Sequence, residues 1–429
     1  MTPAKATQYK FTKIIDKNSN IPGTSQKFTE FSDASISGNS IVFVGGVYSG
    51  IYLYNNGKLR TVADTSQFPP NAYPNQDKFR QFYRPVISGQ NIAFVGVSRA
   101  TPAQSSPPVS GVYATFNGGP LVTIADWNTP FRTTTGYKYW NFGSPGKPEI
   151  SISGSQIVLA NGTKYEVDPT NPDYLKKPRK TFLYKDSKLK EFQPIGGSFG
   201  FAPVIDGDRI LRIEPLRYKD GNPLTIIDGG RITLTTGNEP PKSILDTNTK
   251  LPGNTEIASF GFSWTENPPI SYFPSPEFPP ALSGNTVFFS ASKKPSGQGG
   301  LYTYNLKSKA IVRIIEQGNQ LDDLKTIIGS FGDVAVSGSN LAFRAQAVQA
   351  GESPNTSNTE NTLNGIVTRN NGKLSLVMRA GDRIDGKVVK RLKQLGKNFL
   401  SGKKVVFTVI FTDDSEAIYL AQPIAETTP

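Results

Sequence analysis

Two stretches of this chain hold the side chains best suited to gripping a ligand. Trp127, Arg132, Tyr137, Lys138, Tyr139 and Trp140 fall close together in one, and Trp264 and Tyr272 in the other. Aromatic faces interleaved with cations suit sugar rings, an anionic polymer or a protein hot spot. Tyr137, Tyr139 and Trp140 nearly alternate in a polar, Gly-flanked run, the pattern of an exposed platform. Other rings nearby, among them Phe68, Phe79, Phe82 and Phe260, equally suit packing long loops onto the body beneath them.

The remaining chemistry is narrow. The chain has no His and no Cys, which excludes disulfides, His- or Cys-ligated metals and every scheme with a His base or Cys nucleophile. No P-loop, EF-hand loop or Gly-x-Ser-x-Gly run occurs. No cofactor and no metal are expected, and no catalytic residue is nominated. Paired carboxylates for glycoside hydrolysis remain an acid–base option, as does a His-free lyase that uses Tyr and Arg on an anionic polysaccharide. Asp33, Glu149 and Asp333 are the carboxylate candidates, with solvated wall residues as the simpler reading. An acid also recurs where a strand ends, at Asp16, Asp64, Asp126, Asp246 and Glu316. An Asp there can accept a backbone N–H two residues on and start a loop, so recurrence argues for structure.

The elements that position these residues are repeated hairpins. Seven times an apolar run meets Ser-Gly or Asp-Gly and continues as a second apolar run, with the glycine at 38, 89, 154, 207, 284, 338 and 402. A two-residue Gly turn between β-rich segments is a hairpin signal. After each hairpin comes a strand of the Gly50-Ile51-Tyr52-Leu53-Tyr54 type. A turn such as Asn55-Asn56-Gly57 and a fourth strand ending near Val62-Ala63-Asp64 follow it. Four antiparallel strands, a to d, make one propeller blade. The last unit stops after strand c at Ala417-Ile418-Tyr419-Leu420, while Tyr9 to Asp16 reads as a strand d with no unit of its own. Pairing the two leaves no open seam.

The reading is therefore all-β: a seven-bladed β-propeller of four-stranded antiparallel blades in one domain, 1–429. Its blades fall near 24–64, 79–126, 148–193, 199–246, 278–316, 326–379 and 388–421, and strand 9–16 completes the last. The fourth unit matches worst, with strands c and d only bracketed between Leu224 and Asp246. The string Ser-Gly-Asn-x-Ile-Val-Phe followed by Gly-Ile-Tyr-Leu-Tyr and Gly-Lys-Leu resembles the repeat of TolB-like (PD40, WD40-like) bacterial propellers. It is closest to exported propeller-repeat proteins of undefined function. The resemblance implies fold and turns, not chemistry, and Ser-Gly stands here where TolB-like repeats carry Ser-Pro-Asp-Gly.

Loop lengths then divide the disc. The a–b and c–d turns are tight and share one face. The long segments, including 97–110, 161–180, 346–364, 65–78, 127–147 and 247–280, fall in b–c or d–a positions on the other. Binding usually lives on such loops. Formal net charge is +13, which favours anionic partners. The basic residues are spread along the chain rather than massed, which argues against nucleic acid. No run approaches 18 consecutive apolar residues, so no membrane-spanning helix is expected. Met1 to Gln8 has no apolar signal-peptide core, so the chain is either cytoplasmic or has lost a leader; its Asn/Ser/Thr/Tyr/Gly-rich chemistry points to the periplasm or outside the cell. The functional expectation is a monomeric, non-catalytic binding scaffold that takes a protein or polysaccharide on its aromatic, basic loop face. A carbohydrate-binding propeller is the alternative, and a His-independent polysaccharide-active enzyme a third.

Overall fold

The computed structural model describes residues 7–70, 72, 77–99, 108–126, 129–133, 136–139, 149–160, 181–192, 201–219, 222–260, 280–294, 298–321, 326–349, 364–393 and 395–424. Among them are no helices. Among the described residues the strands form eight antiparallel sheets: seven blades, each built from strands consecutive in the chain apart from the last, and one two-stranded ribbon. The last blade takes its outer strand from the start of the chain. Tyr9–Asp16 pairs antiparallel with Glu416–Pro423, from Tyr9 opposite Pro423 to Asp16 opposite Ala417. This is the closure that strand counting predicts.

The Ser-Gly turns do more than reverse the chain. Each turn glycine holds φ between +54° and +63°, a region that glycine enters without strain. Its N–H donates to the Ser or Asp side chain of the preceding blade's turn. Gly89 bonds Ser37 Oγ at 2.9 Å, Gly154 bonds Ser88 Oγ at 2.9 Å and Gly207 bonds Ser153 Oγ at 2.9 Å. Gly284 bonds Asp206 Oδ2 at 2.8 Å, Gly338 bonds Ser283 Oγ at 2.9 Å and Gly402 bonds Ser337 Oγ at 2.8 Å. Gly38 bonds Ser401 Oγ at 2.9 Å and completes the circle. Hydrogen bonds therefore clasp every blade to the next on this face.

Between blades the core is aromatic. Tyr52 stacks on Phe43 of the adjacent strand at 5.8 Å, Tyr302 on Phe289 at 5.6 Å and Tyr419 on Phe407 at 6.3 Å. The tyrosine ring folds back over the glycine two residues earlier: a Cβ on Gly50 would lie 2.6 Å from Tyr52 Oη. That contact is the reason for Gly-x-Tyr in the repeat.

Blade four departs from this. Its strands are Phe201–Asp206, Arg209–Lys219, Asn222–Thr236 and Lys242–Leu245. Arg212 stands where blade one has Phe43, opposite Thr233 rather than a tyrosine. Glu214, 0 % exposed, receives a hydrogen bond from Thr233 Oγ1 at 3.2 Å and lies 3.3 Å from Arg231 Nη2. Arg212 Nη2 sits 3.0 Å from Glu214 Oε1, an ion pair without hydrogen-bond alignment. Burial pushes the Arg212 guanidinium down, Glu214 opposes that, and Arg231 adds to it.

Blade five corrects one expectation. Segment 247–280 is not a loop throughout: Lys250–Leu251 and Thr255–Phe260 are strands. Thr255–Phe260 and Ala281–Ser283 both pair with Thr286–Lys293, so they are two pieces of one inner strand. Trp264 and Tyr272 fall in the sequence between those pieces, not in a d–a connection.

Candidate functional site

The inner strands share a second regularity, five residues before each turn glycine. That position holds Asp33, Arg84, Glu149, Ala202, Pro279, Asp333 and Lys397 in blade order. Inner strands bulge around this level, where one extra residue opposes the neighbouring strand: between Ser32 and Ser35, Tyr83 and Val86, Phe201 and Val204, and Phe331 and Val334. Such bulges re-aim side chains. Asp33 and Arg84 carry φ of 52° and 49°, left-handed values that cost non-glycine residues free energy and often mark functional positions. In blade seven the bulge becomes a segment, residues 393–399, between Lys387–Leu392 and Leu400–Ser401.

That segment reaches four other blades. Asn398 O accepts Ile36 N at 2.7 Å, and Asn398 Nδ2 donates to Ile87 O at 3.4 Å. Lys397 Nζ donates to Pro203 O at 2.8 Å, and Leu395 N to Asp333 Oδ2 at 3.3 Å. Lys397 is half-buried and lies on the wall of the channel along the ring axis. Burial lowers its ammonium to about 8; Glu149 pulls it up and Arg84 pushes it further down.

The three candidate acids all belong to this ring. Asp333 lies 3.3 Å from Arg344 Nη1. Burial raises its carboxyl, Arg344 and the Leu395 amide oppose the rise, and the charge of Asp33 adds to it. Asp33 Oδ2 accepts Arg84 N at 3.3 Å. The acids are thus tied into a mixed-charge ring. Arg84 and Lys397 are members that reading for acids alone overlooks, although counting back from the glycine would have found them.

The aromatic residues divide. Pro130–Thr133 and Gly136–Tyr139 form a two-stranded hairpin that pairs Arg132 with Tyr137 and Phe131 with Lys138, and sets Tyr139 opposite Pro130. Trp127, Trp140, Trp264 and Tyr272 lie outside the described residues. Phe79, Phe82 and Phe260 are core, each at most 1 % exposed. Phe68 is 57 % exposed, with Lys78 Nζ 5.6 Å from its ring centre. Asp64 and Asp246 cap their strands as expected, accepting the N–H of Ser66 at 2.8 Å and of Asn248 at 2.9 Å. Glu316 differs: its carboxylate takes the Tyr302 hydroxyl at 3.0 Å and pairs with Lys293. No group of three or more metal-ligating side chains occurs among the described residues.

No protein-family model and no curated protein matches the chain. Solved structures with a similar fold include the acylaminoacyl peptidase of Pyrococcus horikoshii, at 13% identity and TM-score 0.46, over 81% of this chain and 45% of that one. The chain therefore spans less than half the length of that peptidase. An oligogalacturonate lyase from Vibrio parahaemolyticus matches at 10% identity and TM-score 0.45, over 99% of this chain and 100% of that one. TolB from Acinetobacter baumannii matches at 11% identity and TM-score 0.32, over 66% and 53%. These likenesses are of fold. No helix among the described residues is long and apolar enough to cross a membrane.

Proposed function

We propose that the protein is a non-catalytic binding scaffold that takes its partner on the face of its long connections. One observation carries this reading: the two faces of the ring are built differently. On one face every a–b turn is short and clasped to its neighbour. At the other end of the strands, the connections carry two β-ribbons. One is the Pro130–Tyr139 hairpin. The other is the continuation of Arg209–Lys219 and Asn222–Thr236, which stay paired out to Lys219 opposite Asn222. A rigid body carrying loops on one side is the usual arrangement of a binding protein. The hairpin register, which sets cations beside or opposite aromatic residues, supports an acidic polysaccharide as the partner. The composition and the resemblance to exported repeats support a place outside the cytoplasm. Fractionation of the native host checks it.

The test is binding to neutral and acidic polysaccharides at low and high salt, for wild type and for a Tyr139→Ala/Trp140→Ala double variant. The variant is expected to lose at least about tenfold in affinity, since each ring contact contributes about 0.5–1.5 kcal/mol beyond buried area. Binding should weaken as salt rises, because surface charges are then screened. Equal binding by both proteins removes this hairpin from the interface. A wild type that binds no polysaccharide leaves a protein partner as the form of the scaffold reading.

A further inference from the structure

On the clasped face, away from the long connections, the axis of the ring opens into a funnel of about 250 Å³. All seven inner strands contribute to its wall, and Lys397 and Asn398 lie on it below the turns. Six of the seven clasp positions are serines: Ser37, Ser88, Ser153, Ser283, Ser337 and Ser401. Each hydroxyl oxygen accepts a glycine N–H, which leaves its own proton to donate. Among the described residues none of the six has an acceptor for that proton. The seventh position, Asp206, lies 2.8 Å from Arg209 Nη2, so its charge is matched at the rim. Lys397 has three ammonium donors and uses one on Pro203 O. Around it stand Glu149, which attracts its charge, and Arg84, which repels it. Asp33 and Asp333 share its level in the ring, and Asp333 is paired with Arg344.

We propose that this funnel is a binding site for a small anion bearing a carboxylate or phosphate, anchored by Lys397 and entered past a rim of serine hydroxyl donors. Its volume lies just below the roughly 300–1,000 Å³ of pockets that take drug-sized ligands, which suits an anion of monosaccharide size or smaller. The site is independent of the loop-face scaffold reading and can fail or stand without it.

Calorimetric titration with glucuronate, inorganic phosphate and glucose tests it. At least one anion should bind and glucose should not. Binding of glucuronate alone identifies a sugar acid, and binding of phosphate alone a free oxyanion. Lys397→Met should weaken binding about tenfold or more, the equivalent of one charge-assisted hydrogen bond. The carboxylate of glucuronate stays ionised above neutral pH, so the wild-type affinity should fall as pH rises through about 8, where Lys397 loses its charge. Lys397→Arg should keep the affinity and move that fall to higher pH. If Lys397→Met does not fold, the two pH profiles still decide. A folded wild type that binds neither anion, equal binding of glucose and glucuronate, or an unmoved fall in Lys397→Arg overturns the proposal.

Discussion

Blades one and four solve the same packing problem with opposite chemistry. Where blade one stacks Tyr52 on Phe43, blade four buries Arg212, Glu214 and Thr233, with Arg231 closing the cluster. The backbone register is the same: Phe43 stands opposite Tyr52 and Arg212 opposite Thr233. The sheet therefore does not depend on aromatic stacking. It depends on the apolar positions flanking the stack, such as Ile41 and Val42 in blade one and Ile210 and Leu211 in blade four, all buried. A stack contributes wherever it sits, whereas a buried ion cluster stabilises only while every charge keeps its partner.

The largest expected effect comes from breaking that cluster. Glu214→Ala leaves Arg212 and Arg231 without their shared carboxylate, and denaturant unfolding should show a loss of about 3–5 kcal/mol. An effect below about 1 kcal/mol would mean that water already screens the cluster. The reverse experiment converts blade four to the pattern of blade one. Replacing Arg212→Phe, Glu214→Gly, Arg231→Gly and Thr233→Tyr together gives blade four the residues that blade one has at Phe43, Gly45, Gly50 and Tyr52. The change should be neutral or stabilising by up to about 4 kcal/mol, because apolar groups often replace buried ion clusters without loss. A clear destabilisation would show that the fourth blade is shaped around its charges.

Alkaline pH sharpens the comparison from the other side. Burial, with help from Asp64, raises the Tyr52 hydroxyl from 10.0 to about 12. The unfolded chain then ionises first. This contribution to stability is fully present below about pH 10 and is lost as pH rises through about 12. Tyr113, Tyr302 and Tyr419 are raised likewise, chiefly by burial. Tyr52→Phe should flatten part of the alkaline fall in melting temperature, and an unchanged profile would remove Tyr52 from it. The smallest effect tests what the two blades share. Ser37→Ala and Ser153→Ala each delete one clasp acceptor, beside blades one and four respectively. Both should cost about 0.5–1.5 kcal/mol in denaturant melts. Unequal costs would show that the clasps are not equivalent.

Repetition made the ring legible. The turn glycines, the Gly-x-Tyr strands and a strand d displaced to the start of the chain imply seven blades and their closure. Blade four stayed blurred because Arg212 and Thr233 replace the residues that mark strands b and c, and substitution at a marker hides a strand without abolishing it. Segment 247–280 looked like a loop because its strand pieces are short and end at Phe260, before a Pro-rich run. The basic members of the charged ring were overlooked for another reason: Arg84 and Lys397 share no residue type with the acids, and only their common distance from a glycine relates them. The clasp went unread because serine beside glycine already has a local explanation as a turn former.

The clasp also bears on how such a ring can grow. Every repeat carries both halves of the joint, an acceptor on the residue before its glycine and a donor on the glycine itself. Any unit therefore fits beside any other, and the joint does not record which neighbour is correct. The order of blades is left to the chain and to the apolar layers between sheets. A gene segment copied into this array would bring its own fastening with it, so its connections are free to lengthen. The uneven spacing of the glycines, from 51 to 77 residues, is what an array joined in that way tolerates.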